Sequence, residues 1–591
     1  MKPILIRFGL AICSAAIFMA CSDLGPDSAP APAPARNVLQ LNDGTQPGAR
    51  ILASFDGLGH GFEGPQGTST QRNPSDNSLA VGPNHIIQTI NTRTAIFTKK
   101  GSKYSESGQI LLGPVENNNF FRGFGGACEE TNNGDTVVTF DQLANRWLVV
   151  MPIFRRLARR DNEPAVPTPA DGPVLSTLGR EDQPGPAVLL FQPPHITPEE
   201  VAAKMEEQQA ERARRREAPP ADGTFAMCYA ISTTADPMGE WYRYEFVRPL
   251  FPDYPRPAVW PDGYYVPSST GDEIIEKHAC VVERDKMLLG ESAREICVIV
   301  PDVNFLNNAD LDGLELPPAG APNPMLATGG SQLNGVLGDS KIQVWNFYVD
   351  WDDVSKTHIE GPADLAVEPY AFLCGGQLTT CVPQPGTDMR LDSQGDKLMA
   401  RVLYRRRGNQ ESIVAAHSVA VGYDGPIAVE VAPKYGDGGF SPSVGGGVRW
   451  YEFRVGSDRS ASLFQQGTYA PGVKLGAEMD SGTFRWLPSP AMDGMGNIGI
   501  GYSWATAQDY AGQRFAGRVP SDSLGQFGLM ETVLVEGLAP QTNSLRWEDY
   551  TQTAVDPSDD CTIWYVGDYY HADAENYSTR IGAFQMPGCG E

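Results

Sequence analysis

The chain has 591 residues, with 72 acidic against 46 basic side chains and a formal charge of −26. That balance disfavours nucleic acid as a partner, since phosphate binding needs a basic footprint. It suits solubility outside the cell and would suit calcium, although acidity alone is usually just a solvated surface.

Residues 1–20 read as an export signal: Lys2 and Arg7, then the apolar run FGLAICSAAIFMA, then Cys21. The run is too short for a stable membrane span. Phe18-Met19-Ala20-Cys21 resembles a bacterial lipobox and predicts cleavage before Cys21 and lipidation of that residue. Phe18 and Met19 depart from the usual Leu and small residue, so an ordinary signal peptide that holds a Cys is the alternative. Ser22 fits sorting to the outer membrane. Residues 21–49 are a tether whose Pro/Ala-rich stretch, SDLGPDSAPAPAPAR, is semi-rigid at ~3.1 Å per residue. The expected location is an outer-membrane-anchored lipoprotein, or otherwise the cell envelope or secreted.

Residues 50–591 form the expected domain, and one hairpin recurs along it. A short strand ends at an Asp, a polar turn follows, and an apolar strand leaves. The clearest copies are Ala491–Ser503 (AMDGMGNIGIGYS) and Ala554–Tyr569 (AVDPSDDCTIWYVGDY). Looser ones lie at Leu79–Ile90, Thr139–Val150, Val259–Val266 and Arg390–Leu403. With many Gly and Pro and few helix signals, this predicts an all-β fold of radially repeated four-stranded sheets, a β-propeller. Six blades are expected, or seven if the long third segment, from Tyr254 to about Trp351, holds two. The last strand, Ser578–Met586, is expected to close the ring by pairing with Arg50–Phe55. Residues 155–223 interrupt the second blade as a Pro-rich insertion. Within it Thr197-Pro198-Glu199-Glu200 is a capping box for a helix to about Arg216.

Ten Cys are present, and setting aside Cys13 and Cys21 leaves an even set, which favours disulfides in an exported protein. Local spacing suggests Cys128–Cys228, Cys280–Cys297, Cys374–Cys381 and Cys561–Cys589. No C-x-x-C motif or Cys–His cluster supports a metal.

Catalytic signatures are absent: there is no nucleophile elbow, P-loop, H-E-x-x-H or haem attachment motif. No cofactor is expected. The most suggestive set is Arg390, Arg485 and Arg546, which stand at or before the inner strands of three blades. Converging guanidiniums bind carboxylate or phosphate bidentately, and Trp486 and Trp547 would stack on sugar faces. The structural alternative is that these Arg residues bridge blades through partners such as Asp549 and Asp392.

The segment AVDPSDDCTIWYVG resembles the blade hairpin of sialidase-like, BNR and sortilin-type propellers, although it lacks Asp-box spacing. NPSDNSLAVGPNHIIQTINT, CYAISTTADPMGEWYRYEF, VWPDGYYV and RWEDYTQTAVDPSDDCTIWY resemble an uncharacterised group of secreted bacterial propeller proteins. The resemblance implies fold and export. The expected function is a non-enzymatic surface scaffold that binds a glycan, peptide or protein and meets the membrane through its lipid anchor only. The alternative is a sialidase-like hydrolase or lyase for an acidic sugar, with Arg390, Arg485 and Arg546 on the substrate and Tyr550 and Glu548 as candidate catalytic groups.

Overall fold

The computed structural model describes residues 38–590 except 71–72, 156, 158–171, 177–186, 189–223, 249, 269–275, 304, 330–339, 376–379 and 423–442. The signal, the lipidation site Cys21, most of the tether and the capping-box helix lie outside the described residues.

The fold is nearly all β. In chain order it lays down antiparallel meanders of four strands. The first sheet holds Ser78–Val81, His85–Ile90, Arg93–Thr98 and Ile110–Glu116. The second holds Val137–Asp141, Arg146–Ile153, Phe225–Ser232 and Glu240–Arg248. The third runs from Ala258–Trp260 to Glu295–Pro301, and the fourth from Asn307–Asp312 to His358–Ala366. The fifth runs from Val402–Arg407 to Ala461–Tyr469, and the sixth from Phe484–Met492 to Thr532–Val535. The seventh holds Gln552–Val555, Thr562–Tyr569 and Ser578–Gln585, and its fourth strand is the N-terminal Arg50–Gly57. The register of that pairing runs from Arg50 opposite Gln585 to Gly57 opposite Thr579.

The third sequence segment thus carries two sheets where a single blade was expected. Among the described residues the four-stranded meanders number seven. The fourth and fifth join into one nine-stranded sheet, because Ala309–Asp312 pairs parallel with Val402–Arg405. First strands pack side by side between the first and second sheets, from the third through to the seventh, and between the seventh and first. The described parts of the insertion add edge strands: Ala187–Val188 on the second sheet and Val174–Ser176 on the third.

Each sheet buries both faces, so its inner strands read as unbroken apolar runs and not as alternation. His85–Ile90 and Phe225–Ser232 are buried at every position. Separate cores fill the spaces between sheets. Ile87, Ile96, Trp147 and Val149 pack between the first and second, and Ala491, Phe515, Ile563 and Phe584 between the sixth and seventh.

The recurring hairpin has a local cause. The Asp that ends a first strand turns its carboxylate back onto the turn and accepts backbone N–H groups that would otherwise be orphaned. Asp493 accepts from Met495 N at 2.9 Å and Asn497 N at 3.0 Å. Asp141 accepts from Ala144 N at 3.0 Å, and Asp556 from Ser558 N at 2.9 Å.

Four disulfides join Cys128–Cys228, Cys280–Cys297, Cys374–Cys381 and Cys561–Cys589, the pairs that spacing suggested. Cys280 and Cys297 sit directly opposite each other on adjacent strands. Such a set fits an oxidising compartment outside the cytoplasm. Among the described residues no helix is long and apolar enough to cross a membrane.

Candidate functional site

The hairpin turns lie at one end of the first strands. The loops that lead into those strands gather at the other end, here called the mouth. Asp76 N, before the first sheet, donates to Glu548 O, before the seventh, at 2.7 Å. Tyr254 Oη, before the third, donates to Asp549 O at 2.9 Å. Asp392, before the fifth, accepts from Trp547 N at 2.9 Å.

Asp76, Tyr254, Gln394, Glu548 and Asp549 all take left-handed backbone angles in these loops, with φ between 46° and 70°. Left-handed non-glycine residues are strained and persist where the surroundings over-determine them, as they do at binding and catalytic sites. The mouth is therefore the candidate site.

Its side chains are mostly ionisable and mostly buried. Asp76, Asp135, Asp392, Asp396 and Asp549 share it with Arg256, Lys397 and Arg546. Burial, then Asp135 and Asp549, pushes the Asp76 carboxyl well above its ordinary range. Burial, then Asp253 and Asp549, does the same to Asp135. Burial lifts Asp392 to about 7 although Arg546 opposes it. Three of the buried groups keep atoms without a hydrogen-bond partner: Asp76 Oδ1, Tyr550 Oη, and Nε and Nη2 of Arg256.

The residues singled out in the sequence do not converge as open guanidiniums. Arg390 reaches Asp480 at 2.7 Å and the Cys381 carbonyl at 2.7 Å. Arg485 is buried, with Nε on Glu531 at 2.8 Å and Nη1 on the Pro471 carbonyl at 2.6 Å. Arg546 alone of the three belongs to the mouth, and it is bound to Asp549 through two nitrogens, with Asp392 at 3.6 Å. Asp549 is thus an ion-pair partner, as the structural alternative had it. Trp486 and Trp547 cannot face a sugar, because both rings are buried in the core, 6.1 Å apart.

Glu548 and Tyr550 are not poised as catalytic groups either. The Glu548 carboxylate is occupied by Ser503 Oγ at 2.7 Å, Gln513 Nε2 at 2.9 Å and the Asp568 backbone N–H. Burial, then Asp135 and Asp76, pushes the Tyr550 phenol well up, opposite to what a nucleophile needs. Among the described residues the three groups close enough to hold a metal are Cys280, Glu295 and Cys297, and both Cys are tied in a disulfide.

Sequence reading missed Arg256. The guanidinium carbon lies 3.5 Å from the Tyr254 ring centre and 4.1 Å from that of Tyr550. The one available signal was Tyr254-Pro255-Arg256-Pro257, a cation fixed between two prolines just before a first strand. Below it there is little open space. Cavities of about 20 and 30 Å³ lie along the first strands, lined in common by Asp310, Arg401 and Gln552. Each has room for a water or two and not for a sugar.

Buried acids and histidines make stability depend on pH in opposite directions. Asp568, ordinarily near 3.8, is lifted by burial to about 8. Between those values the folded chain holds a proton that the unfolded chain has lost, so stability falls as pH rises. His278 and His417, ordinarily near 6.5, are lowered by burial to about 3. They cost stability only as pH falls below 6.5. Above 6.5 the histidines no longer contribute. Lys277, lowered by burial from 10.5 to about 7, opposes the acids above pH 7. The raised acids, Asp568 and Asp392 among them, outnumber it, so the thermal midpoint should drop between pH 6.5 and 8. Asp568→Asn should flatten that drop in circular dichroism melts at fixed ionic strength; an unchanged slope would show that Asp568 ionises freely.

No protein-family model matches the chain, and no curated protein matches it. Among solved structures, the chain is similar to a protein of unknown function from Dyadobacter fermentans. That match has 10% identity over 91% of this chain and 100% of that one, with a TM-score of 0.33. The WD40 domain of SCAP from fission yeast matches at 8% identity over 87% of this chain and 96% of its own, with a TM-score of 0.27.

Proposed function

We propose that the chain is a seven-bladed β-propeller that is exported, lipidated at Cys21, and binds a glycan, peptide or protein at the mouth of its ring. The blade reading is supported by the meanders, by the side-by-side first strands, and by the N-terminal strand that completes the last sheet. A propeller is a scaffold, so function must be argued from its site. The observation that carries the site is the mouth itself. Strained loops from distant parts of the chain are bonded together there around buried polar atoms that lack partners. Unsatisfied buried polar groups are costly, and a ligand that pairs them recovers that cost.

The test is to probe glycan and protein arrays with the full chain in detergent, then map any hit by hydrogen exchange. Protection should fall on residues 73–77, 253–257, 392–397 and 546–551. A ligand that protects only the hairpin-turn end, or only outer strands, would move the site away from the mouth.

A further inference from the structure

We infer that Arg256 is the carboxylate-binding residue of the mouth, which takes the acidic group of a small ligand side-on through Nε and Nη2. This rests on the mouth being the binding site.

The open fork is the first support. Nη1 donates to the Pro255 carbonyl at 3.0 Å, whereas Nε and Nη2 are buried without a partner. Those two nitrogens form the edge that meets a carboxylate with two parallel hydrogen bonds. The residue is only 6% exposed. Among the described residues no carboxylate lies within ion-pair distance of it.

Its surroundings make that openness informative. Other arginines are closed: Arg546 by Asp549, Arg401 by Asp310 and Asp312, Arg390 by Asp480 and Arg485 by Glu531. Two buried guanidinium N–H groups without a hydrogen bond are costly, so leaving them open calls for a compensating ligand. The Tyr254 and Tyr550 rings lie against its guanidinium, and the flanking prolines stiffen the backbone that carries it. The cavity of about 20 Å³ that it lines, with Asn307, Asn308 and Gln552, holds a water or two, the place a carboxylate would take. The body of the ligand must remain at the outer face of the mouth.

The neighbouring acids do not defeat this arrangement. Asp549 is neutralised by Arg546. Burial pushes Asp135 towards its neutral acid form, which lessens its repulsion of an incoming anion.

A sugar acid and a peptide C-terminus share this chemistry, and titration calorimetry on the full chain separates them. The probes are D-glucuronate and D-galacturonate against D-glucose and D-galactose, and N-acetyl-dialanine against its C-terminal amide. Saturable binding is expected for the acids of one arm, at least about ten-fold weaker for their neutral counterparts, as suits a charge-assisted bidentate contact. Arg256→Gln should weaken it by a similar factor. Arg256→Lys should not restore it, because Lys keeps the charge without the fork. Arg390→Gln should bind as wild type does.

If Arg256→Gln fails to fold, wild-type crystals soaked with the tightest probe decide. Carboxylate density on Nε and Nη2 supports the assignment, and density elsewhere overturns it. Failure of every acid to bind overturns it too, as does undiminished binding by both Arg256 variants. An array ligand that protects the mouth yet binds those variants unchanged would remove Arg256 and leave the proposed function standing.

Discussion

A chain lacking residues 38–58 should fail to fold, giving aggregated protein where the longer chain is soluble. The segment looks dispensable by exposure, since most of Arg50–Gly57 lies at the surface. Its importance is in what it closes. Without it Ser578–Gln585 becomes an open edge, and unpaired edges are aggregation templates. The segment also ties the last sheet to its neighbours. Leu58 is fully buried, its N–H donates to Gln88 Oε1 at 2.7 Å, and its carbonyl accepts from Thr579 Oγ1 at 2.6 Å. Phe55 packs on Phe97 of the first sheet at 5.5 Å, and Ala49 joins the core with Phe515 and Phe584. Burial of one large apolar side chain contributes about 1.5–3 kcal/mol and each ladder hydrogen bond about 1 kcal/mol. Together these rival the roughly 5–15 kcal/mol that holds a typical domain. Soluble yield and gel filtration test this; a soluble monomer with an unchanged melting midpoint would refute it.

Arg248→Ala should cost about 3–5 kcal/mol of stability, read as a lower urea midpoint. Arg248 Nη2 meets Glu295 Oε1 at 2.6 Å and Tyr229 Oη at 2.9 Å, and Tyr229 Oη donates to the same carboxylate at 2.8 Å. Both charged side chains are wholly buried. Arg248 and Tyr229 come from the second sheet and Glu295 from the third, so the triad pins two sheets together. Truncating the arginine strands a carboxylate in a dry interior, and that desolvation cost dominates. Replacing both ends, as in Arg248→Met with Glu295→Leu, should restore most of the loss, because no charge is left unpaired. A single variant within about 1 kcal/mol of wild type would mean that water reaches Glu295.

Much of this architecture was legible in the chain because its causes are local. An Asp at a strand end caps its own turn within two to four residues, so the hairpins at Ala491–Ser503 and Ala554–Tyr569 are visible as text. Three disulfides bridge residues close in sequence and follow from spacing. The pairing of Arg50–Gly57 with Ser578–Gln585 follows from the need to leave no open edge. The number of sheets was less legible. The passage from the third sheet to the fourth, around Asp302–Leu306, carries no turn motif, so two meanders read as one.

The site belonged to the tertiary structure alone. Residue type and position before a first strand made Arg390, Arg485 and Arg546 equivalent candidates to Arg256. What separates them is whether a carboxylate arrives from elsewhere in the chain. Asp480 is 90 residues from Arg390 and Glu531 is 46 from Arg485, brought together only when the sheets pack against one another. Arg256 is open because, among the described residues, no acid comes within ion-pair distance of its edge. A local sequence pattern records what a residue is, whereas the pairing of a buried charge depends on which distant segment packs against it.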